Sequence, residues 1–451
     1  MERADLIVIG SGQGGVPLAA EWAQQGRRVV LFERGALGGT CVNTGCTPSK
    51  AFLASAHAAG RARKAGRLGL GVRAEVTVDF AAVMERVRGY PEASSRGVEG
   101  RLEQAGVRLV RAEARFVGER RVEGGGVRAQ APVVLIDTGT SPLEPEIPGL
   151  AGTPYLTSDN FWELRERPGR VLVLGGGYVG LELGQGLARL GCEAHILDRN
   201  DRVLAREEPE VSEVLQEALE ADGVELHLGS KVRAVRYGRQ RFTLELGGGE
   251  RLEGDALLVA AGRRPNTEAL RLEAAGVETD ERGFVKTDDQ FRTSAEGVYA
   301  IGDVAGQPQF THVSWEDHRR LKAILAGEDR RRDDRALGYA VFTDPQVGRV
   351  GLTLEQARRK GHDAEAADLP LEKVARAWET GETLGFYRMV VERQTERILG
   401  ATLVGPEAAE LVHVFLAHME AGSTWRRLEQ SVHIHPTLAE GLPSLARKLA
   451  G

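Results

Sequence analysis

One device occurs twice in this chain and constrains its fold more than any other feature. Leu6–Ile9 reads as an apolar strand and leads into Gly10-x-Gly12-x-x-Gly15, a helical stretch to Gln25, and a second strand Arg28–Phe32 closed by Glu33. From Val171 the pattern repeats. An apolar strand leads into Gly175-x-Gly177-x-x-Gly180, a helix runs to Leu190, and a strand Glu193–Leu197 is closed by Asp198. In such a unit the first glycine permits a tight turn, the second lets backbone approach a pyrophosphate, and the third lets helix pack on strand. The helix then turns its free N–H groups and positive dipole end toward the phosphates, and a carboxylate about 20 residues on takes a ribose hydroxyl. A glycine-rich turn alone is a weak signal. Two copies, each with its strand, helix and closing acid, predict two dinucleotide sites and electron transfer from one nucleotide to the other.

The rest of the chain fits around these units. At 451 residues it has room for two to four domains. With 42% hydrophobic and 27% charged residues and a net charge of −6, it is neither a disordered chain nor a nucleic-acid binder working through bulk positive charge. It has no apolar run of about 18 residues, so no membrane-spanning helix is expected. Met1–Asp5 leads directly into a strand with no basic start or apolar signal core, which predicts a cytoplasmic protein. Leu135–Gly149 is a strand followed by a Pro-rich connection, and Leu257–Asn266 is another strand exit. Asp329–Arg335 reads as a solvated linker, and beyond it Tyr339–Leu352, Phe386–Val391 and Leu399–Val404 read as strands. No third fingerprint follows, so the C-terminal part is a different α/β unit. The expected fold class is α/β: two Rossmann-like dinucleotide-binding domains plus a C-terminal α/β domain.

The chain has only 3 cysteines, too few for a disulfide-stapled scaffold, yet Cys41 and Cys46 lie close together just after the first fingerprint. Such a pair suits reversible oxidation, and Lys50 beside it favours thiolate. Two buried small hydrophobes, or half a zinc site, remain open at this level. Zinc needs partner ligands at short spacing, and Cys192 stands alone, so no metal site is expected. His435 with Glu440 forms a second cluster of the type used in general acid–base catalysis.

These residues together carry a resemblance. Gly10–Gly15, Glu33, Gly39-Thr40-Cys41 to Cys46-x-Pro48-Ser49-Lys50, Gly175–Glu182, Gly262–Asn266, Val298–Asp303, Phe342–Pro345 and His435-Pro436 to Glu440 occur in the order seen in class I pyridine nucleotide-disulfide oxidoreductases. That class contains dihydrolipoamide dehydrogenase, glutathione reductase and mercuric reductase. The resemblance implies FAD held by Gly10, Gly12, Gly14, Gly15, Glu33, Thr40, Lys50, Ala114, Asp303 and Thr311. It implies NAD(H) at Gly175, Gly177, Tyr178, Gly180, Asp198, Arg199 and Gly262, with Tyr178 a lid over the flavin. Cys46 would face the flavin, Cys41 would exchange with substrate, and Lys50 would pair with Glu182. His435, backed by Glu440, would serve the thiols of the other subunit of a homodimer. The implied segments are 1–145 and 271–332 for FAD, 146–270 for NAD(P) and 333–451 for dimerisation.

Pro48-Ser49-Lys50 resembles lipoamide and mercuric enzymes, and His433-x-His435-Pro436-Thr437 resembles dihydrolipoamide dehydrogenase. Mercuric reductases usually have Tyr for the catalytic His and end in a Cys pair; this chain has His435 and ends Lys448-Leu449-Ala450-Gly451. Thr44, Thr47, Phe310-Thr311-His312 and Glu440-Gly441-Leu442 depart from ordinary lipoamide enzymes and are similar to a mercuric-reductase-like branch. The first expectation is therefore a lipoamide-type disulfide or dithiol, small or protein-borne. The alternatives are a metal-ion reductase, or a diaphorase or redox sensor without disulfide turnover. Asp198 would repel a 2′-phosphate and favours NAD, while Arg199 and Arg206 keep NADP(H) open.

Overall fold

The computed structural model describes residues 1–71 and 76–450; residues 72–75 and Gly451, which fall in the first and last expected segments, lie outside the described residues. Leu6–Ile9 is buried at all four positions, as a central parallel strand covered on both faces must be. Around it stands a five-stranded parallel sheet in the order Val298–Ala300, Val133–Ile136, Leu6–Ile9, Val29–Glu33, Arg108–Arg111. The chain thus leaves this sheet, builds the second unit, and returns to it.

The second sheet, also parallel, has the order Glu225–His227, Glu193–Leu197, Arg170–Leu174, Ala256–Val259. Alternation along its strands sends Val171, Val173, Ala194 and Ile196 into a cluster with Leu181, Leu183 and Leu187 of the helix Tyr178–Arg189. Leu172, Leu197, Leu257 and Val259 go the other way, against Val235, Phe242 and Leu244 of a three-stranded antiparallel meander.

The C-terminal sheet is antiparallel, in the order Gly338–Val341, Gln346–Gly351, Ile398–Gly405, Phe386–Glu392, Ala364–Pro370. Two expectations change here. Tyr339–Leu352 is not one strand but two, folded back on each other through Thr343–Pro345. Ala364–Pro370 is an additional strand, hidden in the sequence because Ala-Glu-Ala-Ala-Asp-Leu-Pro lacks β-branched residues. The charge run Asp329–Arg335 is also not wholly solvated. The side chain of Arg335 is buried against Asp317 at 2.6 Å, and Arg320 pairs with Asp334; a charge buried this way needs its partner.

The helix Cys46–Lys64 runs between the units. Gly60 presses on Arg189, whose fully buried guanidinium pairs with Asp222 at 2.7 Å and with Asp344 of the C-terminal unit at 2.6 Å. Lys64 reaches Asp222 at 3.3 Å. One charge cluster therefore ties together the helix that begins at Cys46, the second unit and the C-terminal sheet. Among the described residues no helix is long and apolar enough to cross a membrane.

Candidate active site

The two thiols are brought together by a loop that only glycine closes. The N–H groups of Thr44 and Gly45 both donate to the carbonyl of Thr40, at 2.9 and 2.6 Å. A Cβ on Gly45 would lie 2.9 Å from that oxygen and 3.3 Å from Cα of Cys41. Thr44 is fastened further, since Trp162 donates to its carbonyl at 2.9 Å. Cys46 is the first residue of its helix, where the free N–H groups and positive dipole end favour a thiolate. Cys41 hydrogen-bonds Cys46, Thr311 Oγ1 lies 3.1 Å from Cys46 Sγ, and Lys50 adds its charge. Together they hold Cys46 below the ordinary thiol range, at about 6, while the shared bond and burial push Cys41 up. The first proton thus leaves the pair near neutral pH.

Lys50 lies one turn beyond Cys46. Its ammonium is 2.6 Å from Glu182 Oε2 and 4.6 Å from the ring centroid of Phe342. The other oxygen of the buried Glu182 accepts the N–H of Phe342 at 2.8 Å. The pair is therefore built from all three units.

These groups open on a cleft of about 1540 Å³, large enough for a dinucleotide. Of the expected residues, Gly10, Gly12, Glu33, Thr40, Cys41, Cys46, Lys50, Ala114, Tyr178, Glu182, Asp303 and Thr311 line it. Glu33 is held by Ser11, whose N–H and hydroxyl donate to Oε2 at 2.8 and 2.7 Å, and by the N–H of Gly35. Asp303, its carboxyl raised by burial, accepts from Thr140 at 2.7 Å. Gly14 and Gly15 lie behind the wall, against Ile301 and Asp137.

Asp137 is the residue that the sequence reading missed. It follows the strand Val133–Ile136, accepts the N–H of Gly15 at 2.6 Å, and sits where a Cβ on Gly12 would come within 2.6 Å of its carboxylate. Complete burial drives its carboxyl up to about 8. The available signal was an acid at the C-terminal end of an apolar strand, in Ile136-Asp137-Thr138-Gly139-Thr140.

Gly175, Gly177, Gly180, Asp198, Arg199 and Gly262 do not line the cleft. Asp198 accepts from Gly176 N at 2.6 Å and from Asn200 N and Nδ2 at 2.8 and 2.7 Å, so it braces the second glycine turn. Tyr178 stands between the two regions with its ring 5.7 Å from that of Phe310, and burial raises its hydroxyl to about 12. His435 and Glu440 are joined at 2.6 Å, Nδ1 to Oε2, but they too lie outside the cleft, and the His435 side chain is 74% exposed. A single chain does not bring this dyad to the thiols. Val432 and Ile434 beside it are 98% and 78% exposed.

Comparison with known proteins identifies the family. The family described as pyridine nucleotide-disulphide oxidoreductase matches residues 4–317, and its dimerisation domain matches 338–446. A mercuric reductase of Staphylococcus aureus is 37% identical over 97% of this chain and 81% of its own length. A dihydrolipoyl dehydrogenase of Thermus scotoductus is 37% identical over 100% of this chain and 98% of its own. Among solved structures, the Cu(II) complex of the HOCl-induced flavoprotein disulfide reductase RclA from Escherichia coli superposes with a TM-score of 0.90 at 30% identity, covering 100% of both chains.

Proposed function

The chain belongs to the pyridine nucleotide-disulphide oxidoreductases, flavoprotein disulfide reductases, and on that premise we propose that it carries electrons between NAD(H) and a disulfide or dithiol of the lipoamide type. The observation that carries this reading is the low-lying Cys46 thiolate, held by Cys41, Thr311 and Lys50 on the wall of a dinucleotide-sized cleft. NADH, one proton and a disulfide yield NAD⁺ and two thiols, and the reverse oxidises a dithiol. FAD, when bound, would supply hydride acceptance and return the electron pair to the Cys41–Cys46 disulfide.

The residues fit that group. Glu33 offers the first fingerprint its ribose carboxylate, Gly10 and Gly12 let the chain come close, and Asp303 and Thr311 face the same cleft. Lys50, held by Glu182, brings its positive charge to the thiolate. Cys41 exchanges with substrate, and Cys46 receives electrons. Asp198, which among the described residues has no cation within hydrogen-bond reach, supports NAD over NADP. The segments 1–145 with 271–332, 146–270 and 333–451 would carry FAD binding, nicotinamide binding and dimerisation.

His435 belongs in this scheme as the base that takes the proton from an attacking thiol and returns it to a leaving one. Its exposure, the apolar Val432 and Ile434 beside it, and the match of this region to a dimerisation domain support delivery to the thiols of a second copy. Mixing Cys46→Ser with His435→Gln chains tests it. Each heterodimer holds one intact composite site, so activity should return after subunit exchange. Confirmed exchange without activity refutes the shared site.

A second reading, reduction of a soft metal ion, draws on the same thiolate pair opening into the cleft. The His435–Glu440 dyad favours the disulfide, because reducing a bound metal ion requires no thiol leaving group to be protonated. Steady-state rates with lipoamide, glutathione disulfide, Hg(II) and Cu(II), each with NADH and NADPH, separate the two. Lipoamide turnover well above the metal rates is expected, and the reverse order would establish the second reading.

A further inference from the structure

Away from the cleft, the second sheet gathers a cluster that the redox chemistry does not use. Its parallel register sets His195 beside Glu225 and Leu197 beside His227. Nδ1 of His195 lies 2.7 Å from Oε2 of Glu225 and 3.1 Å from Nε2 of His227, and those last two atoms are 4.0 Å apart. The three distances bracket about 3.3 Å, the spacing of ligands set tetrahedrally at about 2.0–2.1 Å from a zinc-type ion.

The surroundings select the same occupant. The other nitrogen of His195, Nε2, faces the carboxylate of Glu193 at 3.1 Å, and Arg170 fixes that carboxylate at 2.6 Å. With the proton of His195 on Nδ1, the 2.7 Å contact to Glu225 is an ordinary hydrogen bond; with it on Nε2, toward Glu193, Nδ1 of His195, Oε2 of Glu225 and Nε2 of His227 turn three lone pairs on one another. A cation turns that conflict into coordination, with Glu193 as the outer carboxylate that orients a metal-bound histidine. His195 is buried, whereas the side chain of Glu225 is 66% exposed and gives the ion a way in.

We propose that His195, His227 and Glu225 bind a divalent transition cation of the zinc type, with water completing the coordination. The ion would staple the edge strand Glu225–His227 to its neighbour. Asp198 directly follows that neighbour and donates its N–H to the carbonyl of His227 at 3.2 Å, so the staple also steadies the turn that carries Asp198.

The test uses FAD-loaded enzyme with Cys41 and Cys46 oxidised, so that the thiols cannot ligate. After chelator treatment, Zn²⁺ is titrated by calorimetry and Tm is followed. One equivalent bound at micromolar concentration or tighter, with a rise in Tm, is expected. His227→Gln should weaken binding at least a hundredfold and abolish the rise while leaving the flavin spectrum intact. Glu225→Gln changes a largely exposed side chain at the sheet edge, and should weaken binding at least tenfold. Glu193→Gln should keep the stoichiometry and cost about 10–100-fold in affinity. Failure of the oxidised enzyme to take up Zn²⁺, Co²⁺ or Ni²⁺, which would leave a shared proton as the occupant, overturns the proposal. So does uptake that Glu225→Gln and His227→Gln leave unchanged.

Discussion

The two glycine units match at two of their three fingerprint glycines and differ at the one between. A Cβ on Gly10 would strike the carbonyl of Asp137, and a Cβ on Gly175 would strike that of Ala260, each just beyond the strand pairing with the fingerprint strand. Gly15 and Gly180 likewise press on the carbonyls of Gly10 and Gly175. At the second glycine the likeness ends. Gly12 faces the carboxylate of Asp137, whereas among the described residues nothing beyond the adjoining chain lies within 4 Å of a Cβ added to Gly177. One position accounts for this: Asp137 in the first unit is Ala260 in the second. The middle glycine of the first turn is backed by a buried side chain and lines a deep cleft; that of the second turn is open, its turn being braced by Asp198 at Gly176. On the proposed function, the backed turn would suit a dinucleotide that stays and the open turn one that exchanges.

The sharpest way to break that comparison is to substitute the same glycine in both. Gly12→Val forces a side chain onto a buried carboxylate, so the protein should purify without flavin and without activity. Gly177→Ala has room in the protein and should keep its full flavin absorbance, with a raised KM for NADH as its main cost. Equal flavin loss in both would erase the distinction. Next in size is Cys46→Ser, expected to cost at least about 1000-fold in lipoamide turnover while the first unit still holds flavin and accepts hydride. In the unmodified reduced enzyme, alkylation at Cys46 should rise with pH through about 6, because the thiolate is the reactive form.

A smaller effect is expected in the open unit. Asp198→Ala removes a carboxylate that would meet a 2′-phosphate as like charge, so the kcat/KM preference for NADH over NADPH should fall by about tenfold or more. An unmodified enzyme that prefers NADPH would assign the loop to Arg199 and Arg206 instead. The smallest effect concerns Asp137. Its folded value of about 8 lies above the ordinary value of 3.8, so the folded protein binds the extra proton between them. The stability this confers is full below about 3.8 and is lost as pH rises through about 8. Asp137→Asn should retain flavin and flatten the fall in urea midpoint between pH 5 and 8. An unchanged slope would mean that Asp137 is ionised in its pocket.

The fingerprints, closing acids and thiol pair were legible because each is a local pattern: turn, helix start and thiol spacing lie within a few residues of one another. Asp137 carries no such mark, since its partners Gly12 and Gly15 reach it only through strand pairing. Arg335 looked solvated within a charge run, and only the fold supplied Asp317 to bury it. Tyr339–Leu352 reads as one strand because a run of strand-forming residues does not register a reversal at a proline turn.

The sequence by itself determined that two strand–glycine–helix units would form and that a close pair of thiols would follow the first, because short-range sterics and hydrogen bonding dictate those features. Tertiary structure decided which glycine turn lines the deep cleft, how far the Cys46 thiol is lowered, and that His195, Glu225 and His227 meet. Burial, field and the approach of distant strands are properties of packed neighbours, and a linear pattern of residues does not contain them.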